Sequence, residues 1–209
     1  MMGLLFPRKC ILCRRLLRRG EIDLCGDCRR DVEPYASGKR KFQFLDSMTA
    51  VWYYEENIRR SIVRYKFYGA RHLAVNLGRQ LAMRVVQEDL GYDLITWVPV
   101  SRWRKIRRGF DQVELLARYT GRELGERPVR CLKKIRNNKS QSTLRDAAQR
   151  RANVLGVYRV TDPEQVVGKK ILLLDDVLTT GATAGECARV LLTAGAKEVH
   201  CAVLAAARK

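Results

Sequence analysis

Residues 171–183 read ILLLDDVLTTGAT: four large apolar residues, two adjacent carboxylates, then a loop of small hydroxyl and glycine residues. That order builds a phosphate and sugar site. An apolar run too short for a helix of its own and closed by turn residues is a central parallel strand of an α/β sheet, and ligands collect at the carboxyl end of such strands. Thr179, Thr180, Gly181, Ala182 and Thr183 offer backbone N–H groups and hydroxyls to a phosphate at the positive end of the following helix, and Gly181 lets the backbone come close. Asp175 and Asp176 would repel that phosphate unless they meet something else; ribose hydroxyls or a magnesium ion suit them. An isolated aspartate pair reads as a turn cap beside a solvated strand end, but the neighbouring loop shifts the balance towards a site. No lysine follows Gly181 and no GxGxxG is present in this segment, which disfavours a Walker nucleotide triphosphatase and a dinucleotide fold.

A second constellation opens the chain. Cys10 and Cys13 form one CxxC pair, Cys25 and Cys28 another, with eleven residues between the pairs. Four thiolates so spaced close a tetrahedral zinc site; core cysteine or a disulfide is the competing reading. Four sulfurs leave no open coordination position, so the zinc would be structural.

The stretch LLLDDVLTTGAT resembles the phosphoribosyl pyrophosphate (PRPP) motif of type I phosphoribosyltransferases. The resemblance implies that Asp175 and Asp176 are the catalytic-site acids on the ribose 2′ and 3′ hydroxyls and that the Thr179–Thr183 loop holds the 5′-phosphate. A zinc knuckle followed by this motif is similar to the ComF family of ComFC and GntX-like competence proteins. Val98-Pro-Val-Ser-Arg102 with Arg108-Gly-Phe-Asp-Gln112 is similar to that family's VP…R…RGFNQ stretch, with Asp111 in place of asparagine. Tyr65-Lys-Phe-Tyr-Gly69 with Leu73-Ala74 resembles its YKF.G…LA segment, and Gln141, Leu144, Arg151 and Asn153 fit a further pattern in which Asn138 replaces threonine. The family implies natural competence and handling of internalised single-stranded DNA, with a helicase as possible partner. It also implies that Ser101, Arg102 and Arg108 meet the diphosphate of PRPP together with magnesium. The other reading is a non-catalytic, zinc-stabilised single-stranded DNA-binding factor whose PRPP pocket is vestigial or sensory. Val177 and Leu178 supply no general base after the acidic pair, which counts against ordinary purine salvage.

These groups need a frame. In 209 residues with 46% hydrophobic content, one substantial core and a small appendage are expected: residues 1–40 as the zinc module and 41–209 as a Rossmann-like phosphoribosyltransferase sheet flanked by helices. The module has few apolar residues, so metal would supply its stability, and Ser37 to Arg40 reads as a linker. Strands are expected at 49–54, 94–98, 129–135 and 198–206, with an extended segment at 154–160. Helices are expected at 56–67, 73–86, 110–124, 149–153 and 184–193. The first helix should bury Ile58, Ile62, Val63 and Phe67, while 136–143 is a polar loop. No apolar stretch approaches the roughly twenty residues of a membrane span and no cleavable signal is evident, so a cytoplasmic protein without membrane insertion is expected.

With 41 basic against 22 acidic residues the formal charge is +19. A small anion needs only a few cations, so nucleic acid accounts better for the surplus than a merely solvated surface does. After the 94–98 strand, Arg104, Lys105 and Arg107 follow with Trp103 interleaved, as a flexible lid over PRPP or as a single-stranded DNA contact. His72 and His200 fit no zinc or triad spacing and read as structural, Cys131, Cys187 and Cys201 as small core hydrophobes, and Trp52 and Trp97 as core strand residues.

Overall fold

The computed structural model describes residues 7–38, 41–136 and 152–208. Its centre is a four-stranded parallel sheet of β1 (Ser47–Tyr53), β2 (Leu94–Trp97), β5 (Lys170–Leu178) and β6 (Glu198–Ala206), in the order β1-β6-β5-β2. β5 and β6 are near-continuous apolar runs because both of their faces are covered. Leu172 and Leu174 enter one core, with α2 (Glu56–Phe67), α3 (Leu73–Gln87) and α5 (Gln112–Glu123). Ile171 and Leu173 enter the other, shared by α6 (Ala182–Thr193) and a separate antiparallel pair, β3 (Leu132–Lys134) with β4 (Tyr158–Val160). Two shorter helices are α1 (Gly26–Asp31) in the cysteine module and α4 (Arg102–Arg108) after β2. The doubly covered parallel sheet matches the α/β fold expected from sequence.

Several elements depart from expectation. The segment after β2 is a helix, α4, capped by the Ser101 hydroxyl at one end and by left-handed Gly109 at the other, rather than an open lid. On α2 the buried residues are Ile58, Ser61, Ile62 and Tyr65, whereas Phe67 is exposed. Nine residues beyond Ile58 is about 180° of helical rotation, so Phe67 belongs to the opposite face. The basic strand contracts to Leu132–Lys134, since Val129 and Cys131 hydrogen-bond outside the β3–β4 ladder. Ser37 is anchored by the Thr49 hydroxyl at 2.8 Å and by Arg84 at 2.9 Å, so the linker's start is held in place. Residues 137–151, including Asn138, Gln141, Leu144 and Arg151 and most of the helix expected at 149–153, lie outside the described residues, as do Lys39 and Arg40. Cys131, Cys187 and Cys201 are buried. His200 sits between the Ser47 hydroxyl at 2.8 Å and Glu198 at 3.2 Å, and His72 is exposed. No helix among the described residues is long and apolar enough to cross a membrane.

The cysteine module does not stand apart from the main core. Ile11, Leu12 and Leu24 pack in the α2/α3 core, and Ser61 and Arg64 of α2 donate to the Ile11 carbonyl at 2.6 and 2.7 Å. Asp23, buried, accepts from Asn76, Arg79 and Gln80 of α3.

Where α3 crosses α5, a Cβ on Gly78 would stand 2.7 Å from Tyr119 Cβ and 2.9 Å from the Thr120 nitrogen. Alanine stabilises most helix interiors by about 1 kcal/mol over glycine. Here Gly78→Ala should reverse that sign and destabilise by roughly 1–3 kcal/mol through overpacking, read as a lower urea midpoint.

Candidate active site and metal centre

β2 stops pairing just before the acidic pair. The Val98 N–H reaches the Leu174 carbonyl at 2.9 Å, and Pro99 then has no N–H to continue the ladder. From Asp175 onward β5 is paired to β6 alone, so its other edge is open. β2 leads to α5 on one face of the sheet and β5 leads to α6 on the other. The crevice between β2 and β5 is therefore a topological switch point, where open α/β sheets bind ligands.

Both acids lie within β5, not after it, and successive strand residues point to opposite faces. Asp176 turns towards α2 and α5. Its Oδ1 accepts from Lys66 Nζ at 2.7 Å and its Oδ2 from Gln112 Nε2 at 3.1 Å, while the Tyr65 hydroxyl donates to the Gln112 carbonyl at 2.5 Å. Asp175 turns towards the α6 and β3–β4 side, near Lys134 and Tyr158, which in turn feel the Arg104 charge. Its Oδ1 accepts the Asp176 N–H at 2.8 Å. Burial, with the Asp176 charge adding to it, pushes the Asp175 carboxyl up to about 8. Burial pushes the Lys134 ammonium down to about 8, with Arg104 acting in the same direction and Asp175 against it.

The threonine-glycine loop continues from β5 into the N-terminus of α6. Gly181 has φ +79°, the left-handed region, and a Cβ there would lie 2.3 Å from Cδ1 of Phe42. Only glycine satisfies both conditions. Its carbonyl accepts the Gly185 N–H at 2.7 Å, and the Ala182 N–H reaches the Thr180 hydroxyl at 3.4 Å. Thr179, Thr180 and Thr183 are half-buried and Ala182 is buried. Phe42, Phe44 and Leu155 close a cavity of about 520 Å³ against Thr180, Gly181 and Arg189.

α4 divides the residues expected at the diphosphate. The buried Ser101 hydroxyl is engaged as a helix cap, accepting the Arg104 N–H at 3.3 Å. Arg108 stacks on Phe67 at 4.6 Å beside the Asp176 charge, and its buried Nε makes no hydrogen bond among the described residues. Arg104 lies near Lys134 and Arg108. Arg102 is exposed, Lys105 pairs with Glu114 at 3.4 Å, and Arg107 stacks on the exposed Trp103 at 4.8 Å. Arg104 and Arg108 therefore meet the site, while Trp103 and Arg107 form a separate outer pair.

Sequence reasoning assigned no role to Lys66, Gln112, Phe42, Lys134 or Tyr158. Lys66 and Gln112 fall in the two stretches whose family resemblance is plainest, so a signal existed. Lys134 and Tyr158 face each other across β3–β4, a pairing between distant residues that leaves no local pattern.

The four sulfurs of Cys10, Cys13, Cys25 and Cys28 all lie within 4.8 Å of one another, with Cys13 and Cys25 at 3.6 Å. Zn–S bonds of about 2.3 Å place tetrahedral sulfurs about 3.8 Å apart, so the cluster fits structural zinc. Burial opposes ionisation of Cys10, but N–H groups of Cys25, Cys13 and Leu12 outweigh it and lower the thiol to about 7.

The Double zinc ribbon domain family matches residues 1–40, and the Phosphoribosyl transferase domain family matches residues 113–209. Competence protein F of Haemophilus influenzae is 26% identical over 93% of this chain and 95% of its own. DNA utilization protein YhgH of Escherichia coli K12 is 28% identical over 93% and 95%. Competence protein ComFC of Bacillus subtilis is 27% identical over 89% and 78%. Among solved structures, an allosteric regulatory enzyme of purine biosynthesis aligns with TM-score 0.46 and 21% identity, over 68% of this chain and only 29% of that one.

Two outcomes follow from the charges and the metal. The folded chain keeps the Asp175 proton at pH values where an unfolded chain, with an ordinary carboxyl at 3.8, has lost it. Stability of the ligand-free protein should therefore fall as pH rises from about 4 to about 8. Asp175→Asn should melt higher than the parent at pH 8, by about 2–4 °C for each kcal/mol recovered, and the gap should narrow towards pH 4.5. Removing zinc with a chelator should unpin Ile11 and Leu12 from α2, so scanning calorimetry should show the main transition lowered along with loss of the module.

Proposed function

We propose that this chain, which belongs to the ComF family, binds PRPP in the crevice between β2 and β5 and acts on single-stranded DNA internalised during natural competence. The observation that carries the PRPP reading is one crevice holding a left-handed glycine at a helix N-terminus, a buried carboxylate beside a half-buried one, and four cations. Asp175 meets the ribose hydroxyls, and Asp176 reaches them by sharing its oxygens with Lys66 and Gln112. The Thr179–Thr183 loop holds the 5′-phosphate on its N–H groups and the positive end of α6. Arg104, Arg108 and Lys134 meet the diphosphate, with Arg102 at the rim. Magnesium fits as an ion carried by that diphosphate, because one or two carboxylates and phosphate oxygens are its usual ligands. The residues would act by positioning and by stabilising the charge of a departing diphosphate. The cytoplasm is the compartment where PRPP and incoming single strands would meet.

A second reading, a zinc-stabilised DNA-binding factor with a sensory or vestigial pocket, is favoured by one observation: both oxygens of Asp176 are already engaged.

Isothermal titration of the zinc-loaded protein with PRPP and magnesium separates the two. Micromolar binding that disappears in Asp175→Asn/Asp176→Asn is expected, and it warrants a screen of acceptor bases for diphosphate release. No heat with PRPP in a protein that still binds single-stranded DNA would overturn the first reading in favour of the second.

A further inference from the structure

A cleft larger than the cavity beside Gly181 lies elsewhere. About 950 Å³ opens between the cysteine module and the turn joining α2 to α3. Its lining includes Arg8, Lys9, Arg14, Arg64, Tyr68 and His72. The one acid in it, Asp23, is 2% exposed and already takes donors from Asn76, Arg79 and Gln80. Arg64 spends its hydrogen bonds on the neutral carbonyls of Ile11 and Leu12, so no carboxylate balances its charge. The side chains of Arg8, Lys9 and Arg14 are exposed and make no ion pair among the described residues. Arg14 stands at φ +70° on the knuckle, its N–H held by the Cys10 carbonyl at 3.0 Å.

We infer that this cleft is the seat of single-stranded DNA, with Arg8, Lys9 and Arg14 on successive phosphates and Tyr68 stacked against an unpaired base. The inference rests on the single-stranded DNA part of the reading above and gives it a location other than the outer face of α4. A small anion would call for convergent, buried donors. Here the free cations are exposed and spread along a rim, which suits a backbone that repeats its charge. Tyr68 is 75% exposed and has no ring partner among the described residues. Its face suits a base free of a duplex, since paired bases are already stacked on each other. Tyr68 also adjoins Phe67, whose ring carries Arg108. The cleft thus leads over the end of α2 to the crevice that holds Asp176.

Anisotropy of a labelled oligothymidylate of about 20 nucleotides, longer than a typical site, tests this with the full-length zinc-loaded protein over a salt series. Arg8→Ala/Lys9→Ala/Arg14→Ala should reduce the slope of log affinity against log salt by about 2, at about 0.7 per phosphate contact. Tyr68→Ala should weaken binding about ten-fold and leave the slope unchanged. Unchanged melting temperatures would show that both variants fold. Parental affinity and slope in the triple variant, or stronger competition by a duplex of equal length, would overturn the assignment. So would loss of binding confined to Trp103→Ala/Arg107→Ala. If the parent protein binds no single strand, the DNA part of the proposed function falls with it; if the parent binds and the cleft variants match it, the cleft alone is wrong.

Discussion

Two neighbouring carboxylates on one strand cannot look the same way. This alternation of β5 governs the arrangement of the whole crevice. Asp176 enters the α2/α5 side and Asp175 the α6 and β3–β4 side, so each needs its own cations from different parts of the chain. Lys66 and Arg108, with the neutral amide of Gln112, serve the first; Lys134 stands near the second, with Arg104 close to Lys134. A buried carboxylate without such partners would lose its charge rather than keep it. Asp175, with no ion pair among the described residues, is the one pushed towards the protonated form. The asymmetry also separates their roles: Asp176 is fixed by its neighbours before any ligand arrives, whereas Asp175 keeps spare capacity at the open edge left where β2 ends.

The same dependence ties the metal module to the crevice. α2 carries Ser61 and Arg64, which hold the Ile11 and Leu12 carbonyls, and two residues past Arg64 it carries Lys66. Its far face supplies Phe67 to Arg108. A single helix therefore reads the position of the cysteine knuckle and sets two of the cations around Asp176. Loss of the knuckle would be felt in the crevice without any direct contact between zinc and ligand, because core packing transmits small shifts.

Much of this was legible in the chain before any coordinates. The β5 and β6 runs, both CxxC pairs, and the bounds of α2 and of β6 are local signals, and each appears where the pattern places it. Features set by long-range pairing were not legible. α4 has five cations in seven residues and buries none of them, so no apolar period marks it as a helix. Ser101 was placed at the diphosphate by family resemblance; its part in capping α4, which depends on the turn after β2, left no sign in the sequence. Phe67 was placed on the wrong face because an apolar residue near a helix end can serve either a core or an arginine. Lys134 reaches the site only through β4, whose partner strand lies on the other side of a long connection.

Charge decides how much of the protein the crevice explains. Lys66, Lys134, Arg104 and Arg108 face two carboxylates there, which is ample for one phosphorylated sugar and far short of the formal surplus of +19. Such a surplus destabilises a compact chain by self-repulsion, and it is offset when a polyanion takes up the charge. Among the described residues, Arg8, Lys9 and Arg14 of the knuckle make no ion pair and stand beside a cleft whose one acid is already engaged, while the cations on α4 are partly spent, Lys105 on Glu114 and Arg108 on Phe67. On the inferred route, a strand drawn to the knuckle side would approach the acidic pair over the end of α2.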